Sequence, residues 1–168
     1  MKRIPRIGVS YESPAGASGV VCKNVSQITI AKTPIILLIE DSSADVYIVR
    51  ESLRKHLKDF DLQVVSDGEK AFKLIEAADL DASLPCPSLM LLDLNLPKRW
   101  GQEILLRVRQ SPRCGHVPVV ILTSSDSPSD RAETTRLGAT AYFRKPPDLE
   151  EFMQIGMVVE RVLDQHKN

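Results

Sequence analysis

The sequence predicts an α/β fold in which five βα units form one doubly wound parallel sheet of order 2-1-3-4-5, with helices on both faces. Short apolar runs between turn residues are typical of strands buried on both faces, and they alternate with stretches that carry apolar residues at helical spacing. Right-handed crossovers and this order make strands 1, 3, 4 and 5 neighbours. Polar residues at their carboxyl ends then meet at one edge of the sheet, which predicts a functional site there.

The elements follow one another regularly along the chain. The predicted strands span 35–40, 61–66, 88–93, 117–122 and 139–143. The predicted helices run from Ser43, from Asp67-Gly68, over 101–110, from Ser127-Pro128 to Leu137-Gly138, and from Asp148. Cap residues or a proline mark their starts, and glycine is the expected C-terminal residue of the fourth helix. The connector 79–87 contains Pro85 and Pro87 and is predicted to be a loop.

The first 33 residues differ in composition from the rest of the chain. They are rich in Gly, Ser and Pro and follow no sustained period, so we predict that 1–33 is a mobile N-terminal extension. One short strand from Ser26 to Ala31 is a candidate element, and an overextended start site explains the segment equally well. Residues 34–165 form the predicted domain. Only a few residues follow its last helix, so no output domain is expected.

Charge and cysteine content exclude several classes of protein. Residues 1–33 carry five Lys/Arg and one Glu, which is +4, so the remainder of a chain with net charge +0 carries −4. A mildly acidic domain is not expected to bind nucleic acid. No run approaches the roughly 20 apolar residues of a membrane span, and the N-terminus lacks a signal-peptide core. Three cysteines at irregular spacing (Cys22, Cys86 and Cys114) argue against a disulfide framework, so we expect a cytoplasmic protein.

Charged or hydroxyl side chains stand at four of the predicted strand ends: Glu40-Asp41, Asp93, Thr123 and Lys145. Three carboxylates at one edge repel each other unless a cation joins them, and Mg²⁺ is the hard divalent ion that prefers oxygen ligands. An aspartate is a competent nucleophile toward a phosphoryl group. A hydroxyl and an ammonium can bond the charged oxygens of the transferring group. The set therefore predicts an aspartate that accepts a phosphoryl group beside a metal ion.

Each of these residues has an ordinary structural explanation when it is taken alone. Glu40-Asp41 is a candidate helix cap, Thr123 a hydroxyl bonded to the backbone, and Lys145 a surface lysine. The coincidence of four such strand ends favours a shared site for the set. For Tyr142, in the fifth strand, a static place in the core is as well supported as a functional one.

These segments resemble the receiver domain of two-component response regulators, a family with a CheY-like, flavodoxin-like fold. The resemblance covers roughly 34–165, and its matching segments are 35–41, 91–97, Gly101, 121–124 and Lys145-Pro146. Thr123 follows Asp93 by 30 residues and Lys145 follows it by 52, as the family typically shows.

The resemblance implies a phosphoacceptor and a metal site. Asp93 would accept a phosphoryl group from a sensor histidine kinase or a phosphotransfer protein. Asp41 would bind Mg²⁺ directly, Glu40 largely through water and Asn95 through its backbone carbonyl. The implied metal ligands are therefore Glu40, Asp41, Asp93 and Asn95.

The resemblance also implies a switch. Thr123 would bond the phosphoryl group and Lys145 would pair with it, while Tyr142 would change orientation when Thr123 moves inward. The peptide bond between Lys145 and Pro146 is expected to be cis and to direct the lysine into the site. The only catalysis implied is the protein's own phosphorylation and dephosphorylation.

A surface of the fourth helix, fifth strand and fifth helix, about 127–163, would be read by a downstream protein target, and homodimerisation through it is compatible with the resemblance. The long connector 79–87 and the segment 39–46 resemble stand-alone receivers paired with bacterial phytochrome-type histidine kinases, although the aromatic C-terminal ending often seen in that group is missing.

At Trp100 the sequence departs from the residue types that many members of the family carry at this position. The favoured interpretation is that it packs flat on the neighbouring helix, and the alternative is that it faces a partner or restricts access to the site.

Two other functions stand as alternatives. A haloacid-dehalogenase-like phosphatase also forms an aspartyl-phosphate, but its second aspartate is replaced here by Asn95, which cannot act as a general acid. A docking module that never binds phosphate does not require the charged set at the strand ends. Both alternatives are therefore disfavoured by the residues themselves.

Overall fold

The computed structural model describes residues 33–166. The prediction of a strand from Ser26 to Ala31, and all but the last residue of the predicted extension, fall outside the described residues. Among residues 33–166, no helix combines the length and the apolar character needed to cross a membrane.

Five parallel strands form one sheet of order β2-β1-β3-β4-β5, which confirms the predicted topology. The strands are β1 Ile35–Ile39, β2 Asp61–Val65, β3 Leu89–Leu92, β4 Val119–Thr123 and β5 Ala141–Arg144. The helices are α1 Ser43–His56, α2 Gly68–Leu80, α3 Gly101–Gln110, α4 Pro128–Arg136, α5 Leu149–Phe152 and α6 Ile155–Gln165. The order places β1, β3, β4 and β5 side by side, as the site requires.

The sheet separates two apolar clusters. On one face, α2 and α3 share a buried cluster with alternate residues of the strands; its members include Ile75, Leu105, Met90 and Leu92. On the other face, α1 and α6 contribute residues such as Leu53. A fully buried side chain of this size contributes about 1.5–3 kcal/mol. The apolar strands therefore fix the sheet rigidly, and the polar residues that follow them are held at its carboxyl edge.

The predicted helix from Asp148 is split in two by a side chain from α1. Asp148 caps α5 as expected, since its carboxylate accepts a hydrogen bond from the N–H of Glu151 at 3.0 Å. The Ser52 hydroxyl then donates to the carbonyl of Met153 and accepts from the N–H of Gly156 at 2.8 Å. A side chain inserted into the helical hydrogen-bond ladder interrupts it. The prediction of one continuous helix is therefore wrong.

β4 and β5 begin two residues later than predicted and end one residue later. The N–H of Val117 donates to the carbonyl of Cys114 at 3.0 Å, so the chain is still turning before β4. The N–H of Ala139 donates to the carbonyl of Thr134 at 2.9 Å, which ties it to the end of α4. Gly138 has the expected left-handed conformation, with φ of 90°.

The expectation about cysteines is wrong for two of the three. Cys86 and Cys114 form a disulfide bond, with Cα atoms 5.5 Å apart and a sequence separation of 28. The connections α2–β3 and α3–β4 are neighbours because β3 and β4 pair, and this proximity brings the two cysteines together. Sequence spacing alone does not encode such a distance.

Candidate functional site

The polar residues predicted at the strand ends meet at the carboxyl edge of the sheet. The N–H of Asp93 donates to the carbonyl of Ile39 at 3.0 Å, and the N–H of Lys145 donates to that of Thr123 at 2.8 Å. These bonds continue the pairing of the strands by one residue, so that the side chains of Asp93 and Lys145 leave the sheet at its edge. Glu40, Asp93 and Thr123 are buried there.

Lys145 is the centre of the site. Its ammonium lies 2.6 Å from Glu40 Oε2, 2.8 Å from Asp93 Oδ2 and 2.9 Å from Asp45 Oδ2, and its side chain is only 9% exposed. These are the distances of charge-assisted hydrogen bonds. The interpretation of Lys145 as an ordinary surface lysine is therefore wrong.

No peptide bond within the described residues is cis, so the expectation of a cis bond between Lys145 and Pro146 is wrong. The backbone hydrogen bond from Lys145 to Thr123 continues the direction of β5. The lysine side chain reaches the three carboxylates from this extended backbone with a trans peptide bond.

Burial and ion pairing act on the pKa values of the site in opposite ways. Burial raises the pKa of Glu40 above its ordinary value, and the hydrogen bond from Lys145 offsets only part of this rise. For Lys145, burial alone would lower the pKa, but hydrogen bonds to Asp93, Glu40 and Asp45 raise it above its ordinary value. The ion pairs therefore favour the charged form of Lys145.

The carboxyl groups also suit a divalent cation. Oxygens of Glu40, Asp41 and Asp93 all lie within 4.8 Å of one another. Opposite ligands of an octahedral Mg²⁺ are about 4.2 Å apart, since each lies about 2.1 Å from the ion, so small side-chain rotations close the set. Four carboxyl groups, including that of Asp45, face one ammonium, and this excess of negative charge favours a second cation.

The loop that follows Asp93 is held close to it. The N–H of Asn95 donates to Asp93 Oδ1 at 3.0 Å. A Cβ atom at Gly101 would lie 2.4 Å from the carbonyl oxygen of Asp93, so only glycine lets the start of α3 approach this closely. Trp100, beside it, is 63% exposed, which both interpretations of this residue allow, so both stay predictions.

The hydroxyl of Thr123 is linked to Tyr142 through the loop after β4. Thr123 Oγ1 accepts a hydrogen bond from the N–H of Ser125 at 3.1 Å, and the Tyr142 hydroxyl donates to the carbonyl of Ser125 at 3.1 Å. The guanidinium of Arg131 lies 5.2 Å from the centre of the Tyr142 ring. Partial burial raises the pKa of Tyr142 above its ordinary value. Thr123 and Tyr142 thus both form hydrogen bonds with the backbone of Ser125.

Sequence reasoning missed Asp45, the third carboxylate on Lys145. It lies in the first turn of α1, which Ser42 caps through a hydrogen bond from the N–H of Asp45 at 3.3 Å. The available signal was an acidic residue one helical turn after Glu40-Asp41, where a helix rising from the sheet edge still faces the site. Acidic residues are also common in first turns, so the signal alone was ambiguous.

A cluster of ion pairs joins the loop after Asp93 to the start of α2, and it was also missed. Lys98 has a left-handed backbone, with φ of 71°, and its ammonium lies 3.0 Å from Asp67 Oδ2. A hydrogen bond from the N–H of Lys70 and one from the ammonium of Lys98 lower the pKa of Asp67 to about 2. Arg99 pairs with Glu69 at 2.7 Å. These contacts hold the loop that carries Asn95 and Trp100.

The left-handed backbone of Lys98 leads to a testable prediction. Lys98→Gly and Lys98→Ala both remove the ion pair with Asp67, but only alanine keeps a Cβ at positive φ. We expect the glycine variant to be more stable than the alanine variant by about 1 kcal/mol in urea unfolding. Lys73, exposed in the middle of α2, is the matched control. There the order reverses, with glycine about 1 kcal/mol less stable than alanine. Equal stability of the two Lys98 variants would contradict the assigned conformation.

Comparisons with known proteins agree with this fold. The family described as the response regulator receiver domain matches residues 36–156. Response regulator Rcp1 of Synechocystis sp. is 35% identical over 126 residues, which are 75% of this chain and 86% of Rcp1. Transcriptional regulatory protein TrcR of Mycobacterium tuberculosis is 34% identical over 118 residues, 70% of this chain but 42% of TrcR.

Two solved structures are similar over most of their length. The crystal structure of the Mn²⁺-bound form of Rcp1 has a TM-score of 0.69 and 35% identity, and the match covers 76% of this chain and 91% of that one. The phosphorylated cyanobacterial phytochrome response regulator RcpA has a TM-score of 0.73 and 29% identity, covering 82% and 98%. The chain belongs to the response regulator receiver family of two-component signalling.

Proposed function

We propose that this receiver takes a phosphoryl group from the phosphohistidine of a sensor histidine kinase, or of a phosphotransfer protein, onto Asp93. The observation that carries the proposal is the convergence of the Asp93 carboxylate, the acidic cluster and the Lys145 ammonium at one sheet edge. The ammonium of Lys145 and the N–H of Asn95 already satisfy the buried carboxylate of Asp93, so this carboxylate alone does not account for the acidic cluster beside it. A phosphoryl group on Asp93 brings further negative charge, and its neutralisation requires both Lys145 and a metal ion held by the acidic cluster.

The transfer is a simple displacement. The Asp93 carboxylate attacks phosphorus, the P–N bond of the donor breaks, and the imidazole nitrogen keeps the electron pair. Mg²⁺, when bound by Asp41, Asp93 and the carbonyl of Asn95, with Glu40 acting through water, supplies positive charge next to the phosphoryl oxygens. Lys145 pairs with another of these oxygens, and Thr123 donates a hydrogen bond to a third.

Phosphorylation then acts on the loop after β4. When the Thr123 hydroxyl turns to a phosphoryl oxygen, it gives up the bond from the N–H of Ser125, and Ser125 is also the hydrogen-bond acceptor of Tyr142. The modification thereby shifts an equilibrium between two arrangements of Thr123 and Tyr142. A downstream protein target, or a second copy of this chain, reads the altered surface at about 127–163.

We further propose a kinase of the phytochrome type as the phosphoryl donor. The support is the name of RcpA, a phytochrome response regulator, together with the length of the α2–β3 connection and the segment 39–46. Signalling of this kind takes place in the cytoplasm, where we place the protein, and its catalysis is limited to its own phosphorylation and dephosphorylation.

Acetyl phosphate provides a direct test. Incubation of the purified protein with Mg²⁺ and acetyl phosphate is expected to add the mass of one phosphoryl group, which is lost again on standing because acyl phosphates hydrolyse. Asp93→Asn is expected to abolish the addition. Asp59→Asn, an exposed aspartate between α1 and β2, is the matched control and is expected to behave as the wild type. Retained labelling in Asp93→Asn would sink the proposal.

A further inference from the structure

The disulfide between Cys86 and Cys114 lies at the end of the sheet opposite to Asp93. Cys86 belongs to the connection before β3 and Cys114 to the connection before β4, whereas Asp93 follows β3 directly. The seven residues from Cys86 to Asp93 span roughly 20 Å of extended chain. The disulfide is therefore separate from the phosphorylation site.

Two neighbouring residues of the α3–β4 connection hold the loop 81–88. The guanidinium of Arg113 donates hydrogen bonds to four backbone carbonyls around its first half, those of Ala78, Asp81, Ala82 and Leu84. Cys114 holds the second half through the disulfide. Beneath the loop lies a cavity of about 220 Å³, whose lining includes Ile35, Leu37, Ile75, Leu84, Pro87 and Cys114. Because the cavity leaves the underside of the loop poorly packed, the disulfide is the main anchor of 85–87, and hydrogen bonds between Ser88 and Ile35 hold the end of the loop.

The two cysteines differ in accessibility. Cys114 is 1% exposed and belongs to an apolar core cluster, whereas Cys86 is only partly buried at the edge of that cluster. A thiolate from another molecule attacks the sulfur that it can reach, and the other sulfur leaves. The geometry thus sets a direction for exchange, with Cys86 as the attacked residue and Cys114 as the leaving one.

We propose that Cys86–Cys114 is a reversible thiol–disulfide exchange site that takes its electrons from a protein dithiol. One thiolate of the dithiol attacks the Cys86 sulfur, the Cys86–Cys114 bond breaks, and Cys114 leaves as a thiolate that takes up a proton. The second thiolate of the dithiol attacks its partner sulfur in the mixed disulfide and releases Cys86 as a thiol. Two electrons and two protons pass to the receiver, and the dithiol becomes a disulfide.

The expected compartment of the protein favours a disulfide that is reduced and re-formed. In a reducing cytoplasm, where we expect the protein, disulfides are usually transient or redox-sensing, so an accessible one is expected to cycle. Reduction removes the anchor of 85–87, while Arg113 keeps the first half of the loop in place and hydrogen bonds with Ile35 keep Ser88 in place. The loop then opens over the cavity. The redox state of Cys86 and Cys114 thereby changes the conformation at this end of the sheet, independently of the phosphorylation of Asp93.

The first test measures exchange in the folded protein. All variants carry Cys22→Ser, so that Cys86 and Cys114 are the only thiols. Treatment with reduced thioredoxin, followed by alkylation and mass spectrometry, is expected to yield both free thiols without denaturant, and oxidised glutathione is expected to restore the bond. Reduction that occurs only at the rate of global unfolding, or cysteines that stay unpaired after oxidation, would overturn the proposal.

The second test checks its direction and its effect. In Cys114→Ser, oxidised glutathione is expected to modify Cys86 readily, whereas in the matched Cys86→Ser the buried Cys114 is expected to react at least tenfold more slowly. Cleavage of the loop 81–88 by a nonspecific protease such as proteinase K is expected to be at least tenfold faster after reduction of the wild-type protein, whereas hydrogen exchange in β3 is expected to stay unchanged. Equal reactivity of the two cysteines, or a loop unaffected by reduction, would refute the assigned mechanism.

Discussion

Lys145→Met is expected to lower the free energy of unfolding by about 3–5 kcal/mol in the absence of divalent metal. The ammonium is the shared partner of Glu40, Asp93 and Asp45, and its removal leaves these carboxylates at the sheet edge without their cation. Methionine fills a similar volume, so the loss is one of charge rather than of packing.

The stability of Lys145→Met is also expected to depend on Mg²⁺ and on pH. Mg²⁺ is expected to stabilise Lys145→Met more than the wild type, because it replaces part of the lost positive charge. Removal of Lys145 also removes the hydrogen bond and the charge that lower the pKa of Glu40, so this pKa rises further. Falling pH then protonates the carboxyl and the loss of stability shrinks, whereas rising pH restores the loss. Urea unfolding at several pH values, with EDTA or with Mg²⁺, measures both effects.

Lys55→Met serves as the matched control for this series. Lys55 is exposed near the end of α1, and its replacement is expected to change stability by no more than about 0.5 kcal/mol. If Lys145→Met were as stable as this control at neutral pH without metal, the described ion cluster would be wrong.

Cys86→Ser is expected to lower the free energy of unfolding by about 3–4 kcal/mol under oxidising conditions. The disulfide closes a loop of 28 residues, and its loss restores the conformational freedom of that loop in the unfolded chain. A reductant is expected to lower the stability of the wild type to that of the variant and to leave the variant unchanged. Thermal or urea unfolding with and without dithiothreitol provides the measurement.

Cys22→Ser is the matched control, since it removes a cysteine and keeps the bonded pair. It is expected to unfold like the wild type in both conditions. A Cys86→Ser variant that is as stable as Cys22→Ser without reductant would show that the disulfide does not stabilise the folded chain.

The sheet and the residues of the site were predictable because both depend on the direction of the strands. Apolar runs fix where each strand ends, and right-handed crossovers bring four of these ends together, so Asp93 and Lys145 are neighbours despite a sequence separation of 52. The residue types at those ends then indicate the chemistry. Their roles in phosphorylation remain proposals, which the variants described above test.

Features that depend on contacts between distant side chains were not predictable. The break between α5 and α6 is caused by Ser52, a residue about 100 positions earlier that reads as an ordinary helix residue. The ion pair of Asp67 with Lys98 requires that the loop after β3 reach the start of α2. In the same way, the disulfide joins two connections whose proximity exists only once β3 and β4 pair.

The most direct measurement of the central claim is the chemical identification of the phosphorylated residue. Borodeuteride reduces an acyl phosphate of aspartate to homoserine, and peptide mapping then locates the deuterated residue. After incubation with Mg²⁺ and acetyl phosphate, we expect homoserine at position 93 and at no other acidic residue. Homoserine at Asp41 instead, or none in a folded protein that binds Mg²⁺, would contradict the assignment of Asp93 as the phosphoacceptor.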